Sequence, residues 1–208
     1  MILSSAYLPP VQWFSHLKAA AGQTVYVERN EHYQKQTWRN RCCIATEGGV
    51  QALTVPVVAA QTADGKQLMR DVRISSHGDW RHVHWNALTA AYRHTPYFTY
   101  YADLFQPYYQ EPADGAEPLL FDYNLQLTQL CCSLMGLTVT LTPTDDYSPA
   151  AADDLRTIIS PKVDYTAGDP AFTPRPYYQV FADRHGFLPN LSVADLLFNM
   201  GPESIFYL

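Results

Sequence analysis

The sequence predicts an α/β fold, in the form of a single mixed-sheet domain with flanking helices and a βαβ-like N-terminal opening. Three observations support this class. The first 28 residues alternate between strand-like and helix-like patterns, the second half contains another helix followed by a strand-like run, and no internal repeat interrupts the chain. At 208 residues and 47% hydrophobic content, the chain can bury one full core. We therefore expect one domain over residues 1–208, with a loop-rich C-terminal extension from about residue 142.

The opening of the chain predicts a strand, a helix and a second strand. Residues 2–7 are strand-like, residues 11–20 carry apolar side chains at helical spacing up to a glycine, and residues 24–28 are β-branched and aromatic. If the two strands pair in parallel, the crossover between them is right-handed.

The middle of the chain predicts a hairpin, a further strand and a helix. Residues 42–46 and 52–58 flank Glu47-Gly48-Gly49, a sequence typical of a hairpin turn. Residues 68–74 have a strand-like pattern. Residues 82–93 have the spacing of a helix, which a proline a few residues later prevents from continuing.

The second half predicts a long helix, a strand and a short terminal helix. Residues 121–135 have a broad apolar face and are followed by a glycine, and residues 137–141 alternate as a strand. Residues 164–176 contain several proline and glycine residues, which is typical of a long ordered loop. A helix is expected over residues 193–200, because the Ser192 hydroxyl is a good acceptor for the first free N–H groups of a helix.

Charge is unevenly distributed along the chain. The net charge is −6, but residues 1–100 carry ten Lys and Arg against six Asp and Glu, together with six of the seven histidines. Ten of the fourteen basic residues are Arg, whose guanidinium suits fixed contacts with phosphate or carboxylate. We therefore expect a small anionic ligand. We do not expect nucleic acid, because an acidic chain with a pI near 5.5 and no Lys/Arg run lacks the required basic footprint.

The cysteines and the N-terminus indicate the compartment. Cys42-Cys43 and Cys131-Cys132 are adjacent pairs, which excludes CxxC zinc-ribbon and thioredoxin-like motifs and favours buried, reduced thiols. The N-terminus has no cationic leader or signal-peptide-like apolar run, and no window approaches a membrane span. We expect a cytoplasmic protein. No residue pattern specifies a cofactor or an oligomeric state.

The densest cluster of reactive side chains is HGDWRHVHW, residues 77–85. Its candidate site residues are His77, Asp79, Trp80, His82 and His84. His82 or His84 would act as the general base, with Asp79 holding its tautomer, because imidazole titrates near neutral pH.

Other interpretations of this cluster stay open. On a strand, His82 and His84 would face one side and begin a metal site, whereas on a helix they would diverge. No spaced ligand motif supports a metal, so we predict none. Alternatively, His82 and Trp85 pack while the other side chains cap or face water, with Asp79 as the N-cap of the following helix.

A second dense segment, residues 28–41, combines imidazole, indole, guanidinium and amide groups. Its candidate substrate-binding residues are His32, Lys35, Trp38, Arg39, Asn40 and Arg41, to which His77 and Trp80 are added from the first segment. On an extended backbone Arg39 and Arg41 would share one face and bracket a phosphate or carboxylate. The alternative is that they form ion pairs with the acidic second half. Clustering of both segments in one pocket would favour ligand chemistry.

Nucleophile motifs give little support to other chemistries. No GxSxG serine elbow and no glycine-rich phosphate-binding loop is present in the sequence. A cysteine mechanism, with Cys42 or Cys43 near His32 or His77, stays an alternative.

Several pieces of the sequence, taken in order, resemble the WbqC-like protein family. The pieces are Ala6-Tyr7-Leu8-Pro9-Pro10 followed by Trp13-Phe14, then His32-Tyr33-Gln34-Lys35-Gln36-Thr37-Trp38-Arg39-Asn40-Arg41, then Leu53-Thr54-Val55-Pro56-Val57, and then the HGDWRHVHW segment with Ala91-Tyr92 and Pro96-Tyr97-Phe98. They span most of residues 1–130, and residues 186–202 are similar to the ending of one branch of the family. Typical members open with Gln-Pro where this chain has Ser5-Ala6, so no role of that glutamine carries over.

The resemblance implies a bacterial protein of O-antigen or other surface-polysaccharide production and, as its expected activity, the transfer of an acyl or aminoacyl group onto an amino sugar. In the first hypothesis the cations of residues 28–41 hold the anionic part of the substrate, a tryptophan stacks on it, and His82 or His84 deprotonates the acceptor amine. In the second, the protein is a non-catalytic sugar-nucleotide-binding or assembly protein of the same pathway, with residues 97–101 as an aromatic partner surface.

Overall fold

The structure is a computed structural model, which describes residues 1–62, 65–113, 115–149 and 153–208. Within these residues the strands are β1 (Ile2–Ser4), β2 (Thr24–Glu28), β3 (Arg41–Thr46), β4 (Gly49–Thr54) and β5 (Thr140–Pro143). The α-helices are α1 (Val11–Ala19), α2 (Trp80–Tyr92), α3 (Phe98–Phe105), α4 (Leu120–Leu134), α5 (Tyr165–Gly168), α6 (Ala182–His185) and α7 (Val193–Met200). Short 3₁₀ helices occupy Met69–Asp71, His77–Asp79, Gln106–Tyr109 and Gly201–Tyr207. This mixture confirms the predicted α/β class.

The main sheet consists of three parallel strands in the order β1, β2, β5. Leu3 pairs with Val27, and Val25 pairs with Leu141. Helix α1 joins β1 to β2, as the opening pattern predicts. Val25 and Val27 are buried whereas Tyr26 between them is exposed, so the alternation in β2 corresponds to one covered face and one open face.

The antiparallel hairpin of β3 and β4 packs on α2 and α7. Its turn is the predicted one, and Gly49 there has a φ of +105°, which side chains with a Cβ rarely adopt. Strand β4 begins earlier than predicted and ends at Thr54. A proline follows two residues later and has no N–H to continue a ladder.

The structure also differs from the strands predicted over residues 68–74 and 137–141. Residues 68–74 form a 3₁₀ turn flanked by isolated bridges, because their N–H groups bond to the segment after β2: Met69 donates to Glu31 O at 2.9 Å and Arg70 to Arg29 O at 2.8 Å. Strand β5 begins three residues later than predicted. Leu137 N instead donates to Cys132 O at 2.9 Å, which closes the C-terminus of α4.

Helix α7 is the most deeply buried part of the C-terminal extension. Phe198 has no exposed surface and contacts the rings of Tyr92, Phe98 and Phe105, with ring centroids 5.0–5.2 Å apart. Its N-terminus is capped as predicted, since the Ser192 hydroxyl accepts from Ala194 N. The extension therefore contributes apolar side chains to the same core as the N-terminal elements.

Candidate functional site

A cleft of about 610 Å³ lies at the carboxyl ends of the parallel strands, and we call it the strand-end cleft. In open α/β sheets this is where ligands usually bind, because the connecting loops diverge there. Its buried lining includes Asn30, Glu31, Arg39 and Arg156, and its exposed lining includes His32 and Tyr147. The segments after β2 and β5 thus form two of its walls.

One buried ion pair holds the wall that follows β2. Arg39 donates to Glu31 through Nε at 2.9 Å and Nη2 at 2.5 Å, and both residues are less than 10% exposed. The same Nη2 also donates to the Ser4 hydroxyl at the end of β1, at 2.9 Å. Arg39 is therefore neutralised within its own segment, not by the acidic second half of the chain.

A second charge network ties β2 to the segment after β5. Glu28 is fully buried and accepts from the Thr144 hydroxyl at 2.6 Å and from Arg156 Nη1 at 3.1 Å. Arg156 also donates to both carboxylate oxygens of Asp154, at 2.9 and 2.6 Å, which lowers the pKa of Asp154. The guanidinium carbon of Arg156 lies 5.1 Å from the ring centroid of Tyr147.

This lining combines donors and acceptors without a large net charge. The cations of Arg39 and Arg156 each face a carboxylate, and the neutral side chain of Asn30 also lines the cleft. A ligand with hydroxyl groups can both donate to and accept from such walls. The exposed Tyr147 ring offers an apolar surface beside them.

The histidine segment lies elsewhere. Trp80 and His84 are buried on α2, whereas His77, Asp79 and His82 are exposed. His82 and His84 diverge, as expected for a helix, and His82 Nε2 lies 2.8 Å from the Asn86 amide. Asp79 occupies the N-cap position with a left-handed φ of +46° but its side chain makes no capping bond, so the capping interpretation is wrong.

His84 belongs to a buried aromatic network. Its Nδ1 lies 3.0 Å from the Tyr7 hydroxyl, which lies 2.8 Å from the hydroxyl of Tyr109. The ring of Trp80 approaches His84 edge-on, with centroids 5.1 Å apart. Burial lowers the pKa of His84 to about 4, although a hydrogen bond with the Thr54 backbone opposes the shift. His84 is therefore neutral at pH 7.

The low pKa of His84 predicts a loss of stability in mild acid. The unfolded chain binds this proton near pH 6.5 and the folded protein near pH 4, so the free energy of unfolding falls as the pH drops below 6.5 and levels off below 4. Between pH 7 and 5.5 we expect a loss of about 1 kcal/mol in urea unfolding. The paired Asp154 has a lowered pKa and contributes only at lower pH. An unchanged free energy of unfolding over this range would contradict the burial of a neutral His84.

The remaining predicted residues of the second segment do not share one face. Lys35 lines a separate small pocket with Tyr33. Residues 38–40 form a turn, so Arg39 faces Glu31 while Arg41, on β3, donates from Nε to the Thr54 hydroxyl at 3.1 Å. The expectation that the two arginines share one face is therefore wrong, because it required an extended backbone.

Trp38 and Asn40 belong to this turn. Trp38 is half-buried and its Nε1 has no hydrogen-bond partner, and the Asn40 amide donates to Val55 O at 2.8 Å. Of the predicted site residues, His32 and Arg39 line the strand-end cleft. The site roles of the others stay predictions.

Sequence reasoning missed the residues that the second half supplies. Tyr147, Asp154 and Arg156 all line the cleft. The one available signal was Arg156, which is one of four basic residues among residues 101–208 and lies two positions after an aspartate.

A second cleft, of about 540 Å³, borders the first at His32, and we call it the basic cleft. Its described lining comprises His32, Lys66, Arg73 and the acidic Asp71, together with apolar, hydroxyl and amide side chains. It forms between the segment after β2 and residues 58–62 and 65–73.

The fold and the clefts define an α/β protein with a polar ligand site at the carboxyl ends of a parallel sheet. The chain belongs to the WbqC-like protein family, whose model matches residues 4–167. This family is associated with polysaccharide biosynthesis in general. The chain is also similar to the uncharacterized protein Rv1507c of Mycobacterium tuberculosis, with 29% identity over 232 aligned positions that cover 100% of this chain and 96% of that protein. No solved structure matches the chain.

Two further observations concern membranes and metals. Among the described residues, no helix has both the length and the apolar character needed to cross a bilayer. Likewise, in the part of the chain that the structure describes, no three His, Cys, Asp or Glu side chains come together as a metal site.

Proposed function

We propose that this protein is a transferase of surface-polysaccharide (O-antigen) biosynthesis that moves an acyl or aminoacyl group onto an amino sugar held in the strand-end cleft. The observation that carries the proposal is the lining of that cleft, in which buried, mutually paired charges lie beside an exposed tyrosine and an exposed histidine.

The sugar is favoured over a simple anion because the cleft's cations are already paired. Arg39 is paired with Glu31, and Arg156 with Asp154 and Glu28. A free anion would have to compete with these carboxylates, whereas sugar hydroxyls can bond to guanidinium and carboxylate groups without breaking the pairs. The cleft volume of about 610 Å³ lies within the range of small-molecule sites.

His32 is the best-placed general base for this reaction. An amine must lose its proton to attack an acyl carbon, and imidazole is the side chain whose ordinary pKa suits that task near neutral pH. His32 lines the cleft and its side chain is exposed, whereas His84 is buried in the aromatic network. The alternative bases predicted from the sequence, His82 and His84, are included in the same test of turnover.

Binding of glucosamine tests the sugar site. We expect Tyr147→Ala to weaken glucosamine binding by about 2- to 10-fold, since aromatic contacts contribute about 0.5–1.5 kcal/mol. Tyr178→Ala is the matched control, because Tyr147 and Tyr178 are 58% and 57% exposed and Tyr178 is absent from the cleft lining. Dissociation constants from ligand-observed NMR would decide. No binding to the unmodified protein, or equal weakening by both variants, would contradict the proposal.

A second candidate function is a non-catalytic sugar-nucleotide-binding or assembly protein of the same pathway. It is favoured by two exposed apolar residues on α3, Tyr100 at 76% and Leu104 at 46% exposure. The neighbouring Tyr101 is buried, so the aromatic surface is narrower than residues 97–101 suggest. Sugar binding without turnover under any acyl donor would favour this alternative.

A further inference from the structure

We propose that the basic cleft binds phosphate groups, and that the acceptor is a sugar nucleotide whose sugar lies in the strand-end cleft while its diphosphate lies in the basic cleft. This inference rests on the proposed function and names the substrate class. It follows from three observations: the two clefts are adjacent, their charges differ, and one segment separates them.

The adjacency comes from the segment after β2, which forms a ridge between the clefts. On one side His32 pairs with Leu68 in an isolated antiparallel bridge, and Tyr33 N donates to Gln67 O at 2.8 Å. On the other side Glu31 and Arg39 face the strand-end cleft. The His32 side chain is exposed and lines both clefts, so a ligand that crosses the ridge passes beside it.

The basic cleft suits an anion better than the strand-end cleft does, because of the charged residues that line it. Among the described residues of its lining, Lys66, Arg73 and His32 accompany one carboxylate, that of Asp71. That carboxylate already has a cationic neighbour, since its Oδ2 lies 3.8 Å from Arg70 Nε. Arg73 donates to Glu117 O through Nη1 at 2.6 Å, which fixes the guanidinium at the cleft. Phosphate is the anion that such Lys and Arg groups commonly hold.

The strand-end cleft has a different balance of charges. Its two buried arginines face three carboxylates, those of Glu31, Glu28 and Asp154. A dianionic group placed there would have to compete with these carboxylates for the two guanidinium groups. The amino sugar, which carries no negative charge, and the anionic diphosphate of one sugar nucleotide therefore match the two clefts in only one orientation.

The test is calorimetric titration of the protein with UDP-glucosamine, UDP and glucosamine. Because a ligand that spans two sites gains effective concentration, we expect UDP-glucosamine to bind at least about tenfold more tightly than either fragment. Lys66→Gln and Arg73→Gln should each weaken UDP and UDP-glucosamine binding by roughly tenfold or more and leave glucosamine unchanged, since one charged hydrogen bond contributes about 1.5–3 kcal/mol. Both side chains are exposed, so the variants are expected to fold.

Arg184→Gln is the matched control, because Arg184 is also an exposed arginine but pairs with Glu47, away from both clefts. It should not change any of the three affinities. Equal binding of UDP by the control and by the basic-cleft variants would overturn the phosphate site. Simultaneous binding of UDP and glucosamine with no gain for UDP-glucosamine would overturn the spanning ligand. If glucosamine binds and depends on Tyr147 while UDP does not bind, the inference fails and the proposed function stands; if glucosamine fails to bind, the proposed function fails.

Discussion

Replacing Arg39 by Met is expected to lower the free energy of unfolding by about 3–5 kcal/mol, because it leaves the Glu31 carboxylate buried without its cation. Both oxygens of that carboxylate now accept from the guanidinium, at 2.9 and 2.5 Å, and Glu31 is 7% exposed. Met is similar in length to Arg and keeps the apolar contacts of the side chain. The loss of stability is therefore due mainly to the missing positive charge. Urea unfolding at pH 7 measures it.

Two comparisons make this prediction specific. Arg41→Met removes the neighbouring arginine, whose Nε bonds the Thr54 hydroxyl at the surface, and should cost less than about 1 kcal/mol. Adding Glu31→Leu to Arg39→Met removes both charges and should recover a large part of the loss, since a buried pair replaced by apolar groups is often neutral. Equal costs for the two single arginine variants, or no recovery in the double variant, would contradict a buried, mutually dependent pair.

Replacing His32 by Ala is expected to lower the turnover number by roughly 10²–10⁴-fold, the usual contribution of a general base. Glucosamine binding should change little, because the contacts proposed for the sugar come mainly from the buried walls of the cleft. The variant should fold, since the His32 side chain is exposed. Turnover is measured as amide formation on the amino sugar by mass spectrometry, with acyl-phosphate and thioester donors.

His82→Ala and His84→Ala form the comparison set for this prediction. His82 is exposed like His32 but lines neither cleft, so its removal tests whether loss of any surface imidazole reduces the rate. His84→Ala should lower stability through the lost contact with Tyr7. If His82→Ala loses most of its turnover while His32→Ala keeps full activity, the general base lies in the HGDWRHVHW segment and the role of His32 is refuted.

The HGDWRHVHW segment was predicted from the sequence to contain the catalytic residues. Its density of functional groups is explained in part by packing, because Trp80, His84, Leu88 and Ala91 recur at helical spacing and are all buried on one face of α2. The sequence predicted a helix over residues 82–93 but did not place Trp80 in it or His84 on its buried face, since a histidine is not counted as a core residue by default.

Elements with strong periodicity were predictable one by one. The βαβ opening, the β3–β4 hairpin, α2, α4 and α7 follow from spacing, glycine turns and a serine cap, which are properties of neighbouring residues. The segment at residues 68–74 was not predictable in this way. Its backbone bonds go to residues 29–31, and a local pattern does not specify a partner some 40 residues away.

The sequence by itself determined the α/β class, most helices and strands and the family, and it singled out residues 28–41, of which His32 and Arg39 line the strand-end cleft. Only the tertiary structure decided that the cleft has a second wall, formed by Tyr147 and by residues 154–160. The strand order β1, β2, β5 places Glu28 beside Arg156, which is 128 residues away in sequence. The alternation of apolar and polar residues along a strand shows which of its faces is buried, but it does not show which strand lies next to it. The polar lining of the site is therefore a product of strand order.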